Sequence, residues 1–345
     1  MIEKTPITFK PKQVVKKLLS VLGTRSQDVL TSRFGLGNDP KRMTLEAIGT
    51  KYKITRERVR QIENYSIINI RKSKEYVKEK EVFDELKRVI ADLGSTISED
   101  TLLKYLAKDK STQNFIHFLL VVGDDFHKEK EDEEFKHRWT IDKELSKKIH
   151  TSLRQLYSTL SDDEILLESD MVEKFLEQVK DVSDKYKNQE IAKRWLELSK
   201  LISKNQLGEW GKSKSPNINA KGMRDFAFLV IRRHGSPIHF REVAKLITEL
   251  FKKKAHIATT HNELIKDPRF VLVGRGLYAL SEWGYMSGVV KDVIKTVLSK
   301  NGPMTKDEIL KKVLKERYVK ENTIMVNLQN PKYFKKSKDG KYSIV

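Results

Sequence analysis

Four times along this chain an apolar residue in a short extended stretch is followed, five positions later, by an apolar residue at a helical position. The pairs are Ile97 and Leu102 in GSTISEDTLLKYL, Leu167 and Val172 in ILLESDMVEKFL, Ile238 and Val243 in GSPIHFREVAKLI, and Met304 and Ile309 in NGPMTKDEILKKVL. A helix start lies between the two members of each pair. Thr305 and Glu308 have the spacing of a capping box, and Ser98 and Asp170 are candidate caps. A recurring unit of this kind implies a series of small cores, not one large one. A chain of 345 residues has room for several compact units that each bury a core.

The last two units align further. TTHNELIKDPRFVLVGRGLYALSEW and NTIMVNLQNPKYFKKSKDGKYSIV each read as a helix, a proline stop, a strand, a Gly-containing turn and a second strand. Pro268 matches Pro331, Arg269 matches Lys332 and Phe270 matches Tyr333. Three helices followed by a hairpin is the order of a winged helix-turn-helix. The first two units end in candidate hairpins, EFKHRWTI and LGEWGKSK. The predicted fold is therefore mainly α with small antiparallel β-hairpins: a helix-turn-helix domain at residues 1–75, then tandem winged-helix modules at 76–142, 143–215, 220–287 and 288–345. The stretch from MRDFAFLVIRRHGSPIHFREVAKLI through DPRFVLVGRGLYALSEWGY also resembles the HARE-HTH winged helices, found in the delta subunit of bacterial RNA polymerase and appended to some nucleases and chromatin proteins. The resemblance covers about residues 220–285 and implies a winged fold linked to DNA or transcription.

Charge points to a polyanionic partner. The 68 Lys and Arg against 48 Asp and Glu leave a net charge of +20, carried as +11 over residues 1–80, −6 over 81–205 and +15 over 206–345. Two nucleic-acid-binding ends joined by a non-binding middle would show this pattern. With no cysteine, disulfides, thiolate nucleophiles and Cys-ligated metal sites are excluded. No run of eighteen apolar residues is present and MIEKTPITFKPKQ lacks the apolar core of a signal peptide, so a soluble, cytoplasmic, nucleoid-associated protein without a membrane partner is expected.

The basic N-terminal end holds MTLEAIGTKYKITRERVRQIE, residues 43–63. A helix starting after Thr44 puts Leu45, Ile48 and Tyr52 on one buried stripe, with Ala47 and Gly49 small where two helices cross. Ile54 plugs the turn and Thr55 caps the next helix. There Val59, Ile62 and Ser66 face inward, which turns Arg56, Glu57, Arg60, Gln61 and Asn64 outward. Such a face suits the major groove, where Arg can donate to guanine, Gln can pair with adenine and Glu can accept from cytosine.

Together with TRSQDVLTSRFGL at 24–36, this stretch resembles region 4 of the primary sigma factors over about Leu22 to Arg71, TRERVRQIE being its most specific part. The resemblance implies that Arg56, Glu57, Arg60 and Gln61 read bases of a −35 promoter element. It also implies that Arg25, Arg33 and Thr55 contact the DNA backbone, and that the helix ahead of the turn touches the flap of the RNA polymerase β subunit. Tyr65, Ile68 and Asn69 depart from the family, which generally has basic residues there; Ile68 is expected to pack under the next module, or else to mark a protein-docking patch. With only about twenty residues before the match, no promoter-melting region is expected.

The remaining signals are weaker. His234, His239, His256 and His261 cluster in sequence, yet no His-x-x-x-His pair shares a predicted helix with a carboxylate, so hydrogen-bonding roles are expected and no metal. No phosphate loop is present, and the pairs Asp124–Asp125 and Asp162–Asp163 lack a neighbouring nucleophile or base. No catalytic site and no cofactor are expected, whereas Arg275 and Lys338, at hairpin turns, are candidate wing contacts to DNA. The function expected is a sequence-specific DNA-binding transcription factor acting on double-stranded promoter DNA. The alternatives are an RNA polymerase accessory subunit whose winged helices bind protein and a nuclease-associated specificity subunit.

Overall fold

The computed structural model describes residues 7–180, 182–286 and 288–345. Residues 1–6, within the first predicted domain and the N-terminal segment read for a signal, lie outside the described residues. Two units are resolved by packing: residues 1–203 with 210–213, and residues 204–209 with 214–345. Among the described residues there are 17 α-helices and ten short strands, and no helix is long and apolar enough to cross a membrane.

The first unit begins with α1 (Pro11–Leu19), α2 (Thr24–Phe34), α3 (Leu45–Tyr52) and α4 (Arg56–Arg71). The caps form as the sequence predicts. Thr44 accepts from the Ala47 amide and Thr55 from the Arg58 amide, each at 3.1 Å. Ile48 and Val59 are fully buried with Val29, and Leu45, Tyr52, Ile54 and Ile62 pack around them. Gly49 is required by contact, because a Cβ there would lie 2.6 Å from the Ile54 carbonyl oxygen. Ala47, expected at the same crossing, is exposed. Gly35 ends α2 at a φ of +65°, and a Cβ on it would meet the Pro40 carbonyl at 2.5 Å.

The chain continues through α5 (Lys74–Lys78) and α6 (Lys80–Asp92), then β1 (Thr96–Ser98), α7 (Glu99–Leu106), α8 (Lys110–Val122), β2 (His127–Glu129) and β3 (Arg138–Thr140). One apolar core runs across residue 75 and joins Val15 and Leu18 of α1 and Phe34 of α2 to Leu86, Phe118 and Trp139. Beyond it lie α9 (Lys143–Thr159), α10 (Glu168–Gln178), α11 (Gln189–Leu196), β4 (Ile202–Lys204) and β5 (Trp210–Lys212) around a second core that includes Phe175, Trp195 and Trp210.

The second unit holds α12 (Met223–His234), β6 (Ile238–His239), α13 (Phe240–Phe251), α14 (Ile257–Lys266), β7 (Phe270–Gly274) and β8 (Leu277–Leu280). It ends with α15 (Val290–Asn301), α16 (Lys306–Glu316), α17 (Glu321–Leu328), β9 (Phe334–Lys336) and β10 (Tyr342–Ile344).

One order recurs: a helix, a short extended residue or strand, two more helices and a hairpin. Each time the later hairpin strand pairs antiparallel with the short extended piece: β3 with β1, Trp210 with Leu166, β8 with β6, and Tyr342 with Met304. That pairing explains why the extended apolar residue recurs: Ile97, Ile238 and Met304 are buried at 0%, 4% and 6% exposure. In the second occurrence the structure corrects the sequence reading by one residue. Leu166 makes the bridge, whereas Leu167 is 61% exposed and precedes α10. Asp170 lies inside the first turn of α10 and caps nothing, while Ser98 accepts from the Thr101 amide and the Glu308 carboxylate from the Thr305 amide.

A second correction concerns Phe270 and Tyr333. Phe270 sits opposite Leu280 and Phe334 opposite Ile344, so Phe334 takes the strand position of Phe270 and Tyr333 is an extra residue before the strand. The hairpin placed at EFKHRWTI begins earlier, since β3 pairs with His127–Glu129.

Candidate nucleic-acid interface

Helix α4 carries the candidate face. Its inward stripe of Val59, Ser66 and Ile70 is fully buried, and this fixes the helix rotation so that Arg56, Glu57, Arg60, Gln61 and Asn64 are exposed together. The side chains are organised among themselves. Arg60 donates from Nε and Nη2 to the two Glu57 carboxylate oxygens at 2.9 and 2.7 Å, a bidentate pair. That hydrogen bond from Arg60 holds the Glu57 carboxyl below its ordinary value. Arg58, which the sequence reading passed over, donates from Nη1 to Gln61 Oε1 at 3.1 Å and joins the same surface. The signal was available: a third arginine stands within the same turn and a half.

The helix is anchored at both ends. Thr55, expected to meet the DNA backbone, uses its hydroxyl to cap α4 at the N-terminus. At the C-terminus Arg71 donates to the carbonyls of Val122 and Val121 at 2.8 and 3.1 Å, binding α4 to the end of α8. Asn114 of α8, fully buried, donates to the carbonyls of Gly35 and Pro40 and accepts from Arg42 Nε at 2.8 Å, which fixes the loop before α3. Neither Arg71 nor Asn114 has a motif-level signature, because their partners are carbonyls about fifty to eighty residues away.

Arg25 is exposed on α2. Arg33 lies on the same helix but is already engaged, its Nε 3.3 Å from Glu63 of α4 and its Nη1 3.2 Å from the Met43 carbonyl. Beside it a groove of about 550 Å3 includes Ser32, Lys41, Arg42 and Thr44, adding two cations absent from the sequence reading. Tyr65 and Ile68 are 65% and 47% exposed, so Ile68 does not pack under the following helices.

Residues 18–72 match the family model described as Sigma-70, region 4. They form a sigma-70 region 4 domain. Among relatives of the domain, "RNA polymerase sigma factor SigA" of Clostridium acetobutylicum is 38% identical over 73 residues, 21% of this chain and 19% of that protein. "RNA polymerase sigma factor RpoD" of Helicobacter pylori strain 26695 is 43% identical over 60 residues, 17% of this chain and 9% of that protein. "RNA polymerase sigma factor SigA" of Lactococcus lactis subsp. cremoris is 40% identical over 60 residues, 17% of this chain and 16% of that protein. The chain thus spans less than a fifth of the length of these relatives, and the similarity lies in the region 4 domain.

In the second unit Arg275 and Lys338 are exposed at the β7–β8 and β9–β10 turns, as the sequence placed them. Three of the four clustered histidines make contacts within the fold. His239 caps α13 by accepting from the Arg241 amide, His261 stacks on Phe240 at 4.2 Å, and His234 bonds within its own turn to Ser236.

Proposed function

We propose that this chain is a sequence-specific DNA-binding transcription factor that acts at promoters, reading bases through Arg56, Glu57, Arg60 and Gln61 of α4. The observation that carries this is the joint exposure of those four side chains on a helix fixed by buried packing inside a sigma-70 region 4 domain. Arg25, together with Arg33 once it exchanges its internal partners, supplies phosphate contacts that set register, while the α4 face selects sequence. The recurring order of helices and hairpins supports winged-helix modules at 76–142, 143–215, 220–287 and 288–345, that at 220–287 of the HARE-HTH type. Arg275 and Lys338 are wing contacts to DNA. RNA polymerase, through the β flap, is the protein partner, and the protein works in the cytoplasm on the nucleoid without a catalytic step of its own.

Exposed Tyr65 and Ile68 at the far end of α4 favour a second role, an accessory subunit of RNA polymerase in which this apolar pair docks on protein. Salt separates the two. Direct binding to duplex DNA weakens steeply and linearly in log–log form as salt rises. Affinity of the full chain for its preferred duplex, selected from random DNA and measured across a salt series, is expected to fall this way; absence of any duplex binding in low salt would leave the accessory role.

A further inference from the structure

The basic charge of the second unit is not on its third helices. Ile257–Lys266 holds one lysine and Glu321–Leu328 holds none. Three cations gather elsewhere. Lys291 and Lys295, one turn apart on α15, and Lys332, just before β9, bring their ammonium groups to 4.8, 4.5 and 5.8 Å from the centroid of the half-buried Tyr333 ring. Among the described residues none of these lysines is paired with a carboxylate.

The repeat inside this unit supplies a control. Helices α12 and α15 both have twelve residues, both are locked at the N-terminus by an Asp that accepts from the N-cap amide at 3.1 Å (Asp225 from Gly222, Asp292 from Val289), and both end at a glycine. Counting along the helices puts Lys291 where α12 has Arg224 and Lys295 where it has Phe228. The turns also correspond: the Asp267 carboxylate accepts from the Arg269 amide at 3.0 Å, and the Asn330 side-chain carbonyl accepts from the Lys332 amide at 3.1 Å. In the first copy Arg269 lies over Phe228 at 5.1 Å and is neutralised by Asp267 at 2.7 Å and Asp225 at 3.2 Å. In the second, a lysine replaces the phenylalanine and an asparagine replaces the bridging aspartate. A closed ion-pair network has become an open cationic corner at the same place in the fold.

Like charges held around one ring repel each other, and the ring's negative face relieves only part of that repulsion. A run of phosphates would relieve the rest. We propose that Lys291, Lys295 and Lys332, arrayed around Tyr333, clamp the phosphate backbone of double-stranded DNA and are the main DNA contact of the second unit, beside the wing contacts at its hairpin turns. Because the ring is occupied by ammonium groups, it offers no free platform for a base, and the contact carries no sequence information. This rests on the proposed DNA-binding role.

The test uses the full chain and duplex DNA, with and without the site preferred by α4. Bound duplex is expected to protect Lys291, Lys295 and Lys332 of the unaltered protein from acetic anhydride, read by mass spectrometry. The triple variant Lys291→Gln, Lys295→Gln, Lys332→Gln should make the log–log salt slope shallower by about 2–3, near 0.9 for each phosphate contact, and weaken both duplexes by a similar factor of about ten or more. The corresponding triple arginine variant should restore the slope. Unprotected lysines, an unchanged slope in a variant with normal circular dichroism, or protection by polyglutamate but not by DNA would each overturn the clamp while leaving the reading of α4 intact. Failure of the unaltered chain to bind any duplex would overturn both.

Discussion

At the scale of single residues, the proposed reading side chains of α4 are distinct from the side chains that hold the domain together. Arg56 and Gln61 are exposed and carry no part of the core, so Arg56→Ala or Gln61→Ala should cost about 1–3 kcal/mol on the preferred duplex and much less on random DNA, with unfolding unchanged. Equal losses on both duplexes would reduce α4 to non-specific binding. Arg33 is different, because its bonds to Glu63 and the Met43 carbonyl tie α2 to α4 and to the loop before α3. Arg33→Ala should weaken all sequences alike and also lower stability by about 1 kcal/mol, read from urea unfolding. If stability is untouched, the internal bonds of Arg33 contribute nothing measurable and only the phosphate role stands.

At the scale of elements, α4 owes its position to α8 as much as to its own turn. Asn114 satisfies two loop carbonyls and the Arg42 guanidinium from a fully buried site. Asn114→Ala should therefore destabilise the chain by about 2–3 kcal/mol through stranded buried partners, and loosen the loop before α3, visible as faster amide exchange there than in α10. In the neighbouring core, His150 of α9 stacks on Phe135 at 4.3 Å; burial, and then the charge of Arg138, push its imidazole down to about 4. At neutral pH it is uncharged, so its 3.6 Å approach to Glu129 is no ion pair. Its folded pKa lies below the unfolded value of about 6.5, so its contribution to stability is complete above pH 6.5 and is lost as pH falls from there toward 4. Compared with the unaltered chain, His150→Phe should lose less stability between pH 6.5 and 4 in denaturant titrations. An identical pH dependence would show that carboxylates account for all of it.

At the scale of the whole molecule, tryptophan placement bears on what the chain does with DNA once bound. Capturing unstacked bases needs accessible aromatic platforms beside cations. Trp139, Trp195 and Trp210 are at most 2% exposed, and Trp283 is half-buried against the β7–β8 hairpin. With core RNA polymerase and a promoter carrying the preferred site, and no sigma factor added, the duplex should remain closed and thymines near the start site unreactive to permanganate. Reactive thymines would assign strand opening to surfaces on this chain other than its tryptophans.

Local chemistry was sufficient for much of this. Caps at Thr44, Thr55, Ser98 and Thr305, the outward set on α4 and the recurring order of helices and hairpins follow from hydroxyl placement and apolar period, which act within a few residues. The bridge at Leu166 instead of Leu167 was ambiguous by one residue, because adjacent leucines give the same pattern and only pairing with Trp210 chooses between them. Register likewise moved the Phe270 position to Phe334. What no local pattern carries is contact across distance. The core shared by α1 and α8, the carbonyl partners of Arg71 and Asn114, and the engagement of Arg33 with Glu63 depend on which surfaces meet when the chain closes. The sequence determined which side chains of α4 face outward as the candidate reading face, since burial of Val59 and Ser66 alone sets the rotation of the helix. Tertiary structure decided how that helix is held and which of its neighbouring cations remain free, because hydrogen bonds to distant carbonyls and carboxylates exist only in the folded chain.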